Sequence, residues 1–596
     1  IRHMKNINKL FKSIAFCTII GATVASCDLE VEPPSSIASE TYWTSEKDAW
    51  MNLNVIYSNT IPGIGVYDDT YSPDAYCQYS WESSGSTFLQ NGMSAAYDAG
   101  WNFETIRKAN LFLSQIENCP MDEALKARFI AEARIMRAWQ YLSLTQTFGK
   151  VPLITEVLPY DAENVTRDEI SVIREFIMKE LTEGAAGLPE KYTGGYPNEK
   201  GRITKYAALS LKARAALNFG DYATAESTAK EIMDKGGFSL FRISSLNEAQ
   251  QKEADEMDLY IDFTKFNIDK EKFVKGMFSY EALWHTENGN TDNPEYIMTR
   301  QYAASDWDYQ DMVRYTSMRP NQLGGWSSVT PTQNLVDSYW AVDGSKPNLP
   351  SKTERAANYT ELRKEADEFI ATDNKNTFRL FVENKVKSGE IRNEKYISEY
   401  RNRDSRLYVS IMLPFKGWYE TNYGTDFAYE WIKGGNNESK TGFNFRKTLS
   451  LENDPSGYGQ ATGDYPCIRY AEILLIFAEA RTQTTGFDGQ VQAALNELRD
   501  RCGMPNVPTS LSKEQGLELI RNERRIELAA EGFRLDDMIR YGAAYCKEQI
   551  NNVDITMPDG EKGITMKWDD RMLLKAIPQS AIDLNPLLKT DQNPGY

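Results

Sequence analysis

Glu527 and Glu531 stand four residues apart in R-N-E-R-R-I-E-L-A-A-E-G-F-R-L-D-D. On a helix that spacing sets two carboxylates on one face, and a carboxylate pair is what glycoside hydrolysis needs. Arg524 lies three residues before Glu527, and Arg534 three after Glu531. Both are helical neighbours, so the stretch is expected to be a neutralised ion-pair network locking a helix, with a hydrolase pair as the alternative. Histidine chemistry is sparse: the chain has His3 and His285, and with Met4 as initiator only His285 remains. Multi-histidine metal sites are thereby excluded, and a Ser-His-Asp arrangement would have to use His285. The seven cysteines include no CxxC pair, and Cys77, Cys119, Cys467, Cys502 and Cys546 are expected to be lone buried thiols.

Acidic loops raise the question of calcium. Asp69, Asp74 and Glu82 lie in one, and N-G-N-T-D-N spans residues 288–293. Neither fits an EF-hand; in the second, Asn293 stands where glycine is needed and Thr299 where the bidentate glutamate belongs. No cofactor is expected, with a structural calcium as the alternative. Aromatic residues are abundant instead, with 33 Tyr and 12 Trp. Two loops concentrate them. Residues 67–88 include Tyr71, Tyr76, Tyr79 and Trp81, and residues 284–326 include Tyr296, Tyr302, Trp307, Tyr309 and Tyr315. A sugar ring has an apolar C–H face that stacks on Trp or Tyr, and a hydroxyl edge that Asp, Asn and Arg can hydrogen-bond. Roughly half of these aromatics are expected simply to fill space beneath long loops.

Helices must position these loops. Residues 121–148 have Leu125, Phe129, Ala133, Met136, Trp139 and Leu142 at three- and four-residue steps, ending at Gly149 and Pro152. An earlier helix is expected over residues 97–117. Residues 205–235 contain two helices meeting at Gly220-Asp221-Tyr222, with Leu209, Ala213 and Ala216 facing Ala225 and Ala229. Small residues at such a seam let antiparallel helices pack closely, as in tetratricopeptide units. Residues 97–148, 168–189 and 470–501 are more degenerate pairs of the same kind. Residues 241–466 have a different texture, richer in Gly, Asn, Asp and aromatics, with strands expected at N-P-E-Y-I-M-T-R-Q-Y and T-F-R-L-F-V. Residues 468–481 are apolar nearly all round, hence buried. Ser512 and Gln515 form a capping box for a helix expected to run to Phe533.

The first residues carry an address. Lys5, Lys9 and Lys12 precede an apolar run over residues 14–24, the layout of a signal peptide and short for a membrane span. Val24-Ala25-Ser26-Cys27 resembles a bacterial lipobox, which makes Cys27 the lipidated first residue of the processed chain. The D-L-E-V-E-P-P-S-S that follows suits an extended tether. A formal net charge of -18 and a pI near 4.9 exclude a nucleic-acid partner.

Longer motifs carry a family resemblance. Y-P-C-I-R-Y-A-E-I-L-L-I-F-A-E-A from Tyr465, A-L-N-E-L-R-D-R-C-G-M-P from Ala494, R-N-E-R-R-I-E-L-A-A-E-G-F-R-L-D-D-M-I-R-Y-G from Arg521 and a terminal Q-N-P-G-Y occur in order. With P-T-Q-N-L-V-D-S-Y-W-A-V-D-G from Pro331 and R-N-R-D-S-R-L-Y from Arg401, the chain resembles the SusD/RagB family, departing at Ser405, where the family more often has proline. The resemblance implies a mainly α fold: a tetratricopeptide-like helical repeat scaffold with an inserted irregular, loop-rich subdomain containing short strands. The expected divisions are a lipoprotein signal peptide (1–26), a lipid-anchored tether (27–45), an N-terminal helical region (46–240), a loop-rich ligand-binding region (241–466) and a C-terminal helical region (467–596). It also implies a non-enzymatic lipoprotein on the outer surface of a Bacteroidetes-type cell. Such a protein binds glycan and caps a SusC/RagA-like TonB-dependent transporter, though some relatives take peptides or glycoproteins. The acidic residues after Cys27 resemble that group's surface-export signals. Family glycan sites use loops corresponding to the two aromatic regions, so the candidate binding residues are Asp69, Tyr71, Trp81, Trp284, Trp307, Tyr309 and, foremost, Trp326 in G-G-W-S-S.

Overall fold

The computed structural model describes residues 43–159, 162–193, 199–285, 287–290, 292–302, 313–419, 427–449 and 462–596. Cys27 and the signal segment, most of the tether, Trp307 and Tyr309 lie outside the described residues. The fold is mainly α. Among the described residues, six principal helices come first: α1 (Glu46–Thr60), α2 (Glu104–Gln115), α3 (Glu123–Phe148), α4 (Ile170–Ala186), α5 (Lys205–Phe219) and α6 (Tyr222–Lys235). Each packs on the next, and side-chain caps start several of them. Asp122 accepts from the Leu125 N–H at 2.9 Å, and Asp221 from the Thr224 N–H at 3.1 Å.

The α5–α6 hairpin follows its sequence closely. Ala213, Ala216, Ala225 and Ala229 are fully buried in the seam. Gly220 ends α5 in the left-handed conformation (φ 79°), where a side chain would be strained. The expected helix over residues 97–117 is shorter. It begins at Glu104, and the Trp101 ring before it meets Phe148 edge-on at 4.9 Å.

The middle region keeps several helices, among them α7 (Lys352–Thr372) and α8 (Phe378–Ser388). The strand expected at T-F-R-L-F-V is therefore helix. Thr377 accepts from the Leu380 N–H at 3.1 Å as an N-cap, and Phe378, Phe381 and Val382 fall on one buried face at helical spacing. Strands are short. β1 (Ala75–Cys77) pairs antiparallel with β3 (Val329–Pro331), and β2 (Tyr296–Arg300), as expected from its sequence, with β4 (Tyr465–Arg469).

The C-terminal part returns to helix with α9 (Tyr470–Thr484), α10 (Gly489–Arg501), α11 (Lys513–Glu527) and α12 (Arg534–Tyr541). α9 is buried nearly all round, packing on α6, α10 and α11, so the chain's two helical ends share a core. The Ser512–Gln515 capping box is present. The helix stops at Glu527, however, six residues before the expected end. Ala530 takes φ 65° and Gly532 φ 85°. The turn presses on Gly65, where a Cβ would come within 2.4 Å of the Glu531 carbonyl.

Candidate functional site

The glutamates that first suggested catalysis lie in the core. Glu527 is fully buried, and Glu531 lies in the turn after α11. Their partners are distant in sequence. Glu527 pairs with Arg406 at 3.0 Å, Arg469 at 2.8 Å and Arg501, and Glu531 with Arg469 at 2.7 Å and Lys447 at 2.6 Å. The helical neighbours named from sequence go elsewhere: Arg524 pairs with Asp537 at 2.9 Å and Arg534 with Asp74 at 3.3 Å. Burial alone would raise the Glu527 carboxyl, but the guanidiniums of Arg501, Arg469 and Arg406 outweigh it and hold the group well below the usual carboxylate range. A general acid needs a proton near neutral pH, and Glu527, buried among three guanidiniums, does not fit that role. Asp74, one of the acidic-loop residues, is occupied by Arg525 at 2.8 Å as well as by Arg534.

The exposed aromatics assemble elsewhere, on the β1–β3 ladder. Beyond β1, the Gln78 backbone N–H donates to the Ser328 carbonyl at 3.0 Å and its side chain to the Ser327 carbonyl at 2.7 Å. Glu82 completes the clasp, accepting from Ser328 Oγ at 3.0 Å and Tyr67 OH at 2.5 Å. The clasp brings the Trp81 and Trp326 loops together across 245 residues of chain. Trp81 is 79% exposed, with its ring stacked on Tyr79 (centroids 4.8 Å apart, planes 25° apart). Trp326 is 40% exposed. A third segment supplies the polar edge. Tyr79 OH donates to Asn437 Oδ1 at 3.0 Å, and Asn437 Nδ2 to the Gly325 carbonyl at 3.4 Å.

Beside this platform, Gln322, Glu430, Asn436 and Asn437 line a hollow. Gln322 Nε2 donates to the Glu430 carbonyl at 3.0 Å. The Gln322 Oε1 and Glu430 Oε2 atoms are buried and, among the described residues, accept no hydrogen bond. Burial also raises the Glu430 carboxyl above its ordinary pKa, opposed by Arg379 and Arg363. An acceptor left without a donor costs stability, and both atoms are shielded from solvent beneath the surface of the hollow. The exposed indoles of Trp81 and Trp326 present flat apolar faces to solvent on the neighbouring loops.

Of the residues singled out from sequence, Trp81 and Trp326 lie on the two loops clasped here. Trp284 does not: it is 3% exposed, stacks on Tyr465 at 6.0 Å and lies under Lys447 and Arg469, so no external ligand reaches its face. Asp69 is likewise buried, accepting from the backbone N–H groups of Gly532 at 3.2 Å and Arg534 at 3.4 Å. Tyr71 is half-buried against Phe88, with the Lys575 ammonium 4.1 Å from its ring centroid, in a separate small cavity. Sequence reasoning passed over Asn437, Gln322 and Glu430. Their one visible signal is the G-G-N-N-E-S turn that carries Asn436 and Asn437.

Comparison with known proteins agrees with this architecture. A family model described as the SusD family matches residues 294–596, and another, described as starch-binding associating with outer membrane, matches residues 37–217. The chain is 23% identical over 580 residues to SusD-like protein P38 of Formosa agariphila, covering 91% of this chain and 93% of that protein. A SusD-like protein of Bacteroides fragilis, known from its crystal structure, aligns with a TM-score of 0.73 at 25% identity, covering 94% of this chain and 99% of the other. A laminarin-binding SusD-like protein shares the fold, with a TM-score of 0.58 at 20% identity, covering 93% and 100%. With half its length matched by the family model, and similarity to SusD-like proteins over most of the rest, the chain belongs to the SusD family.

Proposed function

We propose that this protein is a cell-surface glycan-binding lipoprotein that captures oligo- or polysaccharide and hands it to a SusC-like TonB-dependent transporter. The observation carrying the binding role is the pair of solvent-exposed indoles, Trp81 stacked on Tyr79 and Trp326, held on two clasped loops with Asn437 between them. Stacking on the indoles removes apolar C–H surface from water, while the polar border reads the hydroxyl edge. Such capture requires no covalent step and uses a largely preformed surface. Burial and ion pairing of Glu527 and Glu531 remove the carboxylate pair that favoured hydrolysis, which supports a binder and not an enzyme. Family membership supports the transporter partner and the outer-membrane address. The lipobox-like Val24–Cys27 supports a lipid anchor at Cys27, and the acidic tether supports display outside the cell.

The test is a panel of plant, microbial and host glycans applied to the purified protein, with free reducing ends assayed in parallel. Saturable binding without new reducing ends is expected. Sustained release of reducing ends would replace the binder with a hydrolase. Silence across the panel, together with peptide binding, would move the ligand to the peptide or glycoprotein class.

A further inference from the structure

We propose that a second, larger hollow, between α7 and a C-terminal hairpin, is a further saccharide contact that takes another segment of the glycan chain held by the Trp81 and Trp326 loops. This rests on the glycan-binding reading above and deepens it by making chain length the property selected. The hollow has a volume of about 420 Å³, within the roughly 300–1,000 Å³ of small-molecule sites. The first turn of α7 and the hairpin of strands Asp554–Thr556 and Lys562–Thr565 supply its walls, and the buried Tyr396, Tyr400 and Phe443 lie at its base.

Polar groups of partly exposed residues remain open in it. Arg355 is clamped through Nε to Glu399 at 2.7 Å and through Nη2 to Asp337 at 2.6 Å. Its guanidinium is therefore held in place, while Nη1 makes no hydrogen bond among the described residues. Asn334 uses its backbone carbonyl, which accepts from Arg525 at 3.1 Å, and its side-chain amide is unengaged among the described residues. At the rim, Lys352 at 3.8 Å and Lys562 at 3.5 Å flank Asp554, so neither sign of charge dominates. Arg355 donates, Asp554 accepts and the Asn334 amide does both. A sugar hydroxyl is donor and acceptor at once, so this interleaved set suits a saccharide better than an apolar or a singly charged ligand.

The chain ties the hollow to the exposed indoles. Thr441 lines the hollow, and its Oγ1 donates to Thr330 Oγ1 on β3 at 3.1 Å. Thr330 follows Trp326 by four residues, and Thr441 follows Asn437, the partner of Tyr79, by four. Four residues span at most about 14 Å, a gap that a polysaccharide bridges in a few sugar units. Two contacts on one glycan make the second an intramolecular event, which favours long chains over short ones.

The experiment is isothermal titration of the full chain with gluco-, xylo- and manno-oligosaccharides from disaccharide to heptasaccharide. In the series that binds, affinity is expected to rise at least about tenfold from the shortest bound member to the heptasaccharide. Thr353→Trp, an exposed α7 position that lines the hollow, should abolish that gain and leave the shortest member's affinity unchanged. Asn334→Ala should reduce the gain, and circular dichroism on both variants confirms folding. A length gain kept in full by both variants, or affinity independent of length in the parent, overturns the second contact while the Trp81–Trp326 surface still stands. Failure of every oligosaccharide to bind removes the glycan reading itself, and the second contact with it.

Discussion

At the scale of single residues, Asp69 shows how a plausible ligand contact becomes a stability element. Its carboxyl is 3% exposed and held by two backbone N–H groups. Burial pushes it up to about 8, with Asp74 adding repulsion and the N–H groups opposing. The folded state thus keeps a proton that the unfolded chain releases near pH 4. The contribution is complete below that unfolded value and is lost as pH rises toward 8. Denaturant unfolding between pH 5 and 8 should therefore show stability falling with pH, by up to about 1.4 kcal/mol per pH unit for one such proton. Glu399, pushed to about 7 by burial, acts with the same sign. Asp69→Asn should flatten the slope, and a variant whose slope matched the parent would contradict the assignment. Composition alone does not distinguish Asp69 and Trp284 from Trp81 and Trp326. All four lie in aromatic or acidic loops, and what separates them is packing against segments hundreds of residues away.

Among elements, the legible parts were those whose neighbours in space are neighbours in sequence. The α5–α6 hairpin is specified by its alanine seam and Gly220, and α3 and the Ser512 cap by local patterns. The T-F-R-L-F-V segment misled because four apolar residues in six suit either period, and the Thr377 cap decided for helix. The end of α11 was hidden for a different reason. Its last glutamate is drawn toward Arg406, Arg469 and Arg501, from three distant segments, so the turn at Ala530 answers to tertiary partners. Ser405 likewise earns its place through a distant contact, donating to the Cys502 carbonyl at 2.5 Å. The network joins α11 to β4 and α10, which yields a sharp expectation. Glu527→Gln leaves three buried guanidiniums short of a counter-charge and should cost about 3–5 kcal/mol, read as a lower midpoint in chemical denaturation. A loss under about 1 kcal/mol, the range of an exposed ion pair, would show that the cluster does not hold these elements together.

For the whole molecule, the helical ends close on each other through α6 and α9, and two loops far apart in sequence meet on the β1–β3 ladder. The helical core provides a rigid base, and the paired loops place the aromatic surface. Trp81, Tyr79 and Trp326 have no comparable role in the core, since both indoles are substantially exposed. The most direct measurement is isothermal titration of the tightest glycan from a panel against the parent chain and the Trp81→Ala/Trp326→Ala double variant, with thermal unfolding of both. Glycan affinity is predicted to fall at least a hundredfold, about 2.7 kcal/mol, with the unfolding midpoint nearly unchanged. Undiminished affinity in the folded double variant would contradict the account, placing the glycan on some other surface of the protein.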